Sequence, residues 1–358
     1  MKHSTSFKIG ARSISIKDPT YFVADIAANH DGELTRAKDL IYRAKEAGAD
    51  CAKFQHFLSD KIVSSVGFAK MTTQLSHQSS WDKSVSEIYD QYHTRREWTQ
   101  NLIEACAQAE IEFMTTPYDF EAIDMFSNLL NAFKIGSGDI TFFAAIKRIA
   151  ESGKPILLAT GAATMEDVEA AVSLVLKENP QLCLMQCNTN YTGSLENFQY
   201  VNINVLRAFS ARWPGMVLGL SDHTPGHSAV LGAVTLGARI IEKHFTDDNS
   251  RKGPDHKFAL SPTTWHAMVR ATRQLEAALG DGVKRVEGNE LETVVIQRRA
   301  LRYKMCLPAG TTLAAEQLES LRPCPEGAVT PADLNLVLNR TIKVSKKTGE
   351  EVRWEDLE

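Results

Sequence analysis

Short apolar runs alternate with longer amphipathic stretches through roughly the first 260 residues of this 358-residue chain. That alternation constrains the fold more than any other feature. Eight strand candidates fall at 21–28, 50–56, 111–116, 132–135, 155–160, 182–187, 217–221 and 239–243. Each has the length of a buried strand and is rich in β-branched or small apolar residues. Between them, 34–47 sets Leu40, Ile41 and Ala44 on one face with charges opposite; 97–109, 121–130, 165–176 and 228–236 read similarly. Gly48, Gly153 and Gly237 follow such stretches, as helix C-terminal stops do. Strand-then-helix repeated eight times predicts a parallel sheet closed into a (β/α)8 TIM barrel. A doubly wound open sheet is the alternative; eight units in about 260 residues favour the barrel.

Two regions break the rhythm. The stretch 58–95 runs roughly forty residues before the next clear helix and is polar, with Ser64, Ser65, Ser76, Ser79 and Ser80. An insertion of that length at a barrel mouth reads as a lid or substrate loop, or else as a surface excursion. After Leu279 the pattern turns to short pieces at 302–306, 318–321 and 341–344, punctuated by Pro308, Gly310, Pro323, Pro325, Gly327, Pro331 and Gly349. The expected organisation is therefore a catalytic barrel over 1–280, a linker over 281–297 and a small loop-rich domain over 298–358. About sixty residues fold alone only marginally, so packing on a barrel or a second subunit would help the small domain.

Composition removes several classes of function. The chain is 43% hydrophobic and 23% charged, which is globular rather than disordered. Its net charge of -4 argues against a nucleic-acid partner. No apolar run approaches the ~18 residues of a membrane span. The opening MKHSTSFKIG has no apolar signal-peptide core. Six cysteines are too sparse for a disulfide scaffold, and reduced thiols in the cytoplasm are expected.

Chemistry in such a barrel sits where strands end. Lys53 and Lys134 lie inside otherwise apolar strands, ADCAKFQ and AFKIGSG. A buried lysine is expensive unless it loses its proton or meets an anion. Together with Ser137 between glycines and the Thr160-Gly161 turn, the two lysines describe an anion pocket, with phosphate as the expected anion. Pairing of each lysine with a nearby Asp or Glu is the competing account. His223 and His244 end adjacent strands and suit a divalent transition metal whose shell water and substrate oxygens complete. His30, His56, His227 and His256 are lesser candidates. Asp25 ends the first strand and adds an acid. Up to this point the residues describe a phosphorylated substrate meeting a metal-polarised carbonyl.

The stretches VADIAANHDGELTRAKDLI, AGADCAKFQ, FKIGSGD, LATGAAT, MQCNTNYT, GLSDHTPG, LGAVTLGARIIEKHFT and KGPDHKFALSP fall in order across 21–263. In these motifs the chain resembles the sialic acid (N-acetylneuraminate) synthase family. Its C-terminal segment resembles that family's antifreeze-like (SAF) domain. The resemblance implies condensation of phosphoenolpyruvate with an N-acyl hexosamine, releasing phosphate and forming a nine-carbon 2-keto sugar acid. It also implies a Mn²⁺-type metal (Mg²⁺ or Co²⁺ as substitutes) and a domain-swapped homodimer whose small domain caps the partner's barrel.

Carried over by residue, Lys53, Thr116, Lys134, Ser137 and Thr160 resemble the phosphoenolpyruvate pocket, and His223 and His244 the metal ligands. Gln55, Asp139, Tyr191 and Asp255 resemble sugar contacts. Arg322, in LESLRPCPEG, resembles the arginine offered to the neighbouring subunit's N-acyl group. The family usually has Glu where this chain has Asp25, one methylene shorter. Where the family often reads Cys-Thr, then Ser or Asn, then Tyr-Pro, this chain has Cys187-Asn188-Thr189-Asn190-Tyr191-Thr192; Thr189 keeps a hydroxyl, and which of Asn188, Thr189 and Asn190 faces phosphate stays open. Condensation onto a different aldose, and a non-catalytic barrel serving as a binding subunit, are the alternative functions.

Overall fold

The computed structural model describes residues 2–71, 78 and 81–358. Among the described residues twelve strands are formed: β1 (Ser6–Ile9), β2 (Arg12–Ser15), β3 (Tyr21–Asp25), β4 (Cys51–His56), β5 (Glu112–Pro117), β6 (Phe133–Ile135), β7 (Ile156–Ala159), β8 (Leu182–Cys187), β9 (Val217–Asp222), β10 (Ala238–His244), β11 (Ala300–Tyr303) and β12 (Leu318–Leu321). Strands β3 to β10 make one sheet in the order β5-β4-β3-β10-β9-β8-β7-β6, every ladder in it parallel. Its two end strands, β5 and β6, lie alongside each other, so the ring is nearly closed. This is the expected barrel, and all eight expected strands are present within a few residues of their expected bounds.

Parallel strands need a crossover, and amphipathic helices supply it. The helix Leu34–Glu46 buries Ala37, Leu40, Ile41 and Ala44, a three-to-four spacing that turns one stripe toward the sheet. Met165–Glu178 starts at a capping box, where the Thr164 hydroxyl accepts from the Asp167 N–H and the Asp167 carboxylate accepts from the Thr164 N–H. The expected helix 97–109 begins instead with a 3₁₀ turn, Arg96–Trp98, and continues as Thr99–Gln108; the expected 121–130 stops at Phe126.

The antiparallel hairpin β1–β2 was not expected. Its Phe7, Ile9 and Ile14 pack with the inward residues Tyr21, Val23, Cys51, Met114, Leu157, Met185, Val217 and Ile240. The hairpin thus stoppers the N-terminal end of the barrel. Successive strand residues alternate between faces, so Phe22, Ala24, Phe54, Leu184, Leu218 and Ile241 pack outward against the helices.

The insertion 58–95 carries short helices at Ser59–Ile62, Ser65–Ala69 and Val85–Tyr92. The last begins at a capping box between Ser84 and Glu87. Ser76, Ser79 and Ser80, noted above, lie outside the described residues.

The chain divides into two compact units, Met1–Gly280 and Asp281–Glu358. The stretch 281–297, expected as a linker, clusters with the second unit and contains the helix Leu291–Gln297. In that unit β11 and β12 pair antiparallel around a core that includes Leu301, Tyr303, Leu313, Val329, Val337, Ile342 and Val352. The piece expected at 341–344 contributes only isolated bridges, at Thr341 and Ile342.

Candidate active site

The same two-residue period that fills the lower barrel with apolar side chains fills its upper end with charge. Along β3 the inward series is Tyr21, Val23, Asp25; along β4 it is Cys51, Lys53, Gln55; along β10 it is Ile240, Glu242, His244. The upper members line a cavity of about 390 Å³ at the C-terminal ends of the strands.

Lys53 and Asp25 face each other in the β3–β4 register, and Lys53 Nζ lies 2.7 Å from Asp25 Oδ2 with both side chains 1% exposed. Lys134 Nζ lies 3.1 Å from Glu242 Oε1, and Lys53 Nζ reaches the same oxygen at 3.8 Å. Burial alone would strip the Lys53 proton, but Asp25 and Glu242 outweigh it and hold its pKa above the ordinary value. The two ammonium groups are therefore neighbours, and carboxylates balance them. This is the competing account given by the sequence, in which each lysine pairs with a nearby acid. Gln55 Nε2 donates to Asp25 Oδ2 at 3.0 Å, and the Ala27 N–H donates to Asp25 Oδ1 at 3.2 Å. Oδ2 thus accepts from two side chains and Oδ1 from one backbone N–H, which leaves Oδ1 a free lone pair.

The rings of His223 and His244 are 5.4 Å apart. His223 Nδ1 lies 2.9 Å from the Asn188 carbonyl, which can only accept. Nδ1 therefore carries the proton and Nε2 keeps its lone pair. On His223, the Cys187 thiol and the Asn188 carbonyl outweigh burial and raise the pKa. His244 is kept neutral by burial, reinforced by His223 and Lys53, and its buried Nδ1 has no hydrogen-bond partner. Asp25 Oδ2 and Asp255 Oδ2 stand 3.7 and 3.9 Å from its ring nitrogens. Two close imidazoles, one with an unsatisfied buried nitrogen, fit a divalent metal. Among the described residues no cluster of three or more His, Cys, Asp or Glu ligands is formed, so the rest of the shell would come from water and substrate.

Thr116, Ser137, Asp139, Tyr191 and Asp255 also line the cavity. Burial pushes Asp139 up to about 6 and Asp255 up to about 6. Thr160 and Thr189 are not in the lining: the Thr160 hydroxyl donates to the Met185 carbonyl at 3.0 Å. Gly161, next to it, donates its N–H to Ser137 Oγ at 2.9 Å. Arg322 is exposed in the second unit, just after β12. Three lesser candidates are engaged elsewhere, each by a hydrogen bond: His30 with Thr94, His56 with Thr115, and His256 with Asp31 and Thr246. His227 is half-buried at the start of the helix Ser228–Thr235.

Three groups escaped the sequence reading. Glu242 is the counter-ion of both lysines, and its position two residues before His244 on one strand was the available signal. The insertion, expected as a lid or substrate loop, does line the cavity, but the residues it contributes, Ile62, Trp81, Ile88, Tyr89 and Tyr92, were not singled out; the Ser84-to-Glu87 capping spacing marks its last helix. Behind the wall, Lys243 Nζ donates to Asp222 Oδ2 at 2.5 Å and to the Thr224 carbonyl at 2.6 Å.

Residues 40–284 match the model of the NeuB family, and residues 298–358 match the SAF domain. The N,N'-diacetyllegionaminic acid synthase of Campylobacter jejuni is 33% identical over 85% of this chain and 90% of its own length. The N-acetylneuraminate-9-phosphate synthase of Mus musculus is 29% identical over 97% and 95%. The crystal structure of N-acetylneuraminic acid synthetase from Leptospira borgpetersenii, in complex with citrate, superposes with a TM-score of 0.71 at 25% identity, covering 82% of this chain and 96% of that one.

Proposed function

The chain belongs to the NeuB family and carries a SAF domain, and from that premise we propose that it condenses phosphoenolpyruvate with an open-chain N-acyl hexosamine. The acceptor is N-acetylmannosamine or a related bacterial sugar; the products are a nonulosonic, sialic-acid-like acid and phosphate. One observation carries the reading. Lys53 and Lys134 converge on a single carboxylate oxygen inside a barrel mouth that also holds two adjacent imidazoles.

A small multivalent anion exchanges its water for that pair of ammonium groups, with the Thr116 and Ser137 hydroxyls directing hydrogen bonds to it. The lysines are already in place, so charge is stabilised without reorganisation at the moment of reaction. The methylene carbon of phosphoenolpyruvate attacks the aldehyde carbon; the new C–C bond forms and the aldehyde oxygen takes a proton to become a hydroxyl. Water adds to the cationic carbon left behind and gives up a proton. The tetrahedral adduct then expels phosphate by C–O cleavage. Asp25, held by Lys53, Gln55 and a backbone N–H, orients the water. Gln55, Asp139, Tyr191 and Asp255 hold the sugar. Alignment of the two substrates supplies roughly 7–11 kcal/mol of the barrier reduction. His223 and His244 would hold a divalent metal, Mn²⁺ first, which when bound supplies Lewis-acid polarisation of a carbonyl.

The same reading makes the protein a cytoplasmic, domain-swapped homodimer in which Arg322 meets the partner's sugar N-acyl group. Support for the compartment is that none of the six cysteines is in a disulfide. No helix among the described residues is long and apolar enough to cross a membrane.

The test is incubation with phosphoenolpyruvate, Mn²⁺ and a panel of N-acyl hexosamines and plain aldoses, read by phosphate release and product mass. A product of sugar plus pyruvic acid from the acylated sugars is expected. Turnover of plain aldoses alone would move the function to condensation onto a different aldose. Absence of turnover together with no binding of phosphoenolpyruvate would leave a non-catalytic barrel.

A further inference from the structure

Resting on the condensation above, we propose that Asp31 is a positioning residue for the acceptor sugar: by holding His256 it fixes Asp255, the next residue of the same loop, against the cavity. The loop after β10 is closed at its base. The Leu260 N–H donates to the His244 carbonyl at 2.8 Å, and the Thr246 N–H donates to the Leu260 carbonyl at 3.0 Å. Residue 260 therefore returns to the strand end that the chain left at 244. Asp255 lies well inside the loop, and the base alone does not fix where its carboxylate points.

Two grips from the turn after β3 do fix it. The Ala28 N–H donates to Asp255 Oδ2 at 3.1 Å. Three residues further on, Asp31 Oδ1 stands 2.8 Å from His256 Nε2. A carboxylate can only accept, so the ring N–H donates to it. The His256 ring is fully buried, and its Nδ1 lies 2.7 Å from the Thr246 hydroxyl at the base of the loop. The ring is thus a strut between that base and the neighbouring turn. Asp31 is anchored in its own right: Arg251 Nε donates to its Oδ2 at 2.8 Å, and Arg36 Nε stands 3.2 Å from the same oxygen. Arg36 in turn pairs with Asp247, at the start of the loop. The strut has little slack, since a Cβ on Gly253 would lie 2.7 Å from His256 Cδ2. Asp255 is among the described cavity-lining residues, whereas Asp31 and His256 are not. They act through Asp255, and a misplacement of about 1 Å at such a contact can cost up to about 100-fold in rate.

The test is steady-state kinetics with phosphoenolpyruvate and the N-acyl hexosamine of the panel that turns over fastest. Asp31 has a left-handed φ of 54°, which glycine adopts without strain, so Asp31→Gly removes the carboxylate and spares the turn. His256→Phe breaks the same bond from the other side and keeps a ring in place. In each variant KM for the sugar should rise about tenfold or more, with KM for phosphoenolpyruvate changed less than about twofold. In an Asp255→Asn background, adding Asp31→Gly should lower kcat/KM for the sugar by less than about threefold further, because both changes act on one contact. An unchanged sugar KM in the folded variants overturns the inference and leaves the condensation standing. So does an equal rise in both KM values, or losses that multiply in the double variant, which a merely structural role would give. Should His256→Phe not fold, Asp31→Gly decides alone. No turnover of any panel sugar by the parent protein removes the condensation itself, and the inference with it.

Discussion

Lys243 and Asp222 form a buried ion pair, Nζ to Oδ2 at 2.5 Å, and each stands one residue before an imidazole of the cavity. Strand alternation sends the pair outward and His223 and His244 inward. Lys243 also holds the Thr224 carbonyl at 2.6 Å, so it ties the turn after β9 to the end of β10. The distance between the two rings is thereby set from behind. Lys243→Met strands the Asp222 carboxylate, which costs about 3–5 kcal/mol by denaturant titration. Affinity for Mn²⁺, measured by calorimetry, should fall about 10–100-fold. The double variant Lys243→Met/Asp222→Asn should recover most of the stability and little of the affinity. Unchanged Mn²⁺ affinity in the single variant would remove the positioning role.

Glu242 balances both lysines through one oxygen, while its other oxygen has no hydrogen-bond partner. Glu242→Gln leaves Lys53 with Asp25 as its acidic partner and takes from Lys134 its ion-pair partner among the described residues. The free protein should lose about 3–5 kcal/mol. Phosphoenolpyruvate should then raise the melting temperature of the variant by more than it raises that of the parent, since the anion takes over the lost carboxylate's work. Equal shifts would mean that the anion binds elsewhere. Lys134→Ala removes one of its binding charges and should abolish phosphate release.

Acid sensitivity follows from two histidines outside the cavity. Burial lowers the His56 pKa to about 3 and the His30 pKa to about 4. Their unfolded values lie near 6.5. The unfolded chain therefore binds protons first as pH drops. Their contribution is fully present above about pH 6.5 and is lost as pH falls toward 4 and then 3, each group at about 1.4 kcal/mol per pH unit. Chemical denaturation at pH 7.5, 6.5, 5.5 and 5.0 should show a plateau and then a decline. His56→Gln should make the decline shallower; an identical slope would exclude His56 as a source.

Gly161 is needed for close approach rather than for an unusual backbone angle. A Cβ there would sit 2.5 Å from Thr189 Cγ2, 2.9 Å from Ser137 Oγ and 3.1 Å from Cys187 Sγ. Gly161→Ala must push apart the loops that follow β6, β7 and β8. The expected result is a KM for phosphoenolpyruvate raised about tenfold or more, with KM for the sugar little changed. A normal KM for phosphoenolpyruvate would place the anion away from Ser137.

Much of this architecture is legible in the residues because strands buried on both faces read as short apolar runs. The run 182–187 coincides with the observed Leu182–Cys187. The hairpin Ser6–Ser15 is not legible: it has four residues a side, and its apolar face needs the barrel floor to cover it. The helix Pro262–Leu279 carried a readable start, Ser261 followed by Pro262, that strand-counting passed over. In the site, Lys53 and Lys134 stand out because an ammonium inside an apolar strand is anomalous. Their partners do not, because Asp25 meets Lys53 through the β3–β4 register and Glu242 meets Lys134 across the barrel. Those are facts of closure, which no local pattern encodes. The cavity's aromatic rim lay equally out of reach, since the polar look of 58–95 conceals where Ile88, Tyr89 and Tyr92 point.

With its lower end plugged by Phe7, Ile9 and Ile14, the barrel is a blind alley. Whatever settles among the lysines sits deeper than whatever reaches the tyrosines at the rim. The three-carbon anion therefore has to arrive before the bulkier sugar, and inorganic phosphate departs only after the long product has cleared the doorway. Steady-state kinetics should show that compulsory sequence, with phosphate competing against phosphoenolpyruvate and never against the sugar.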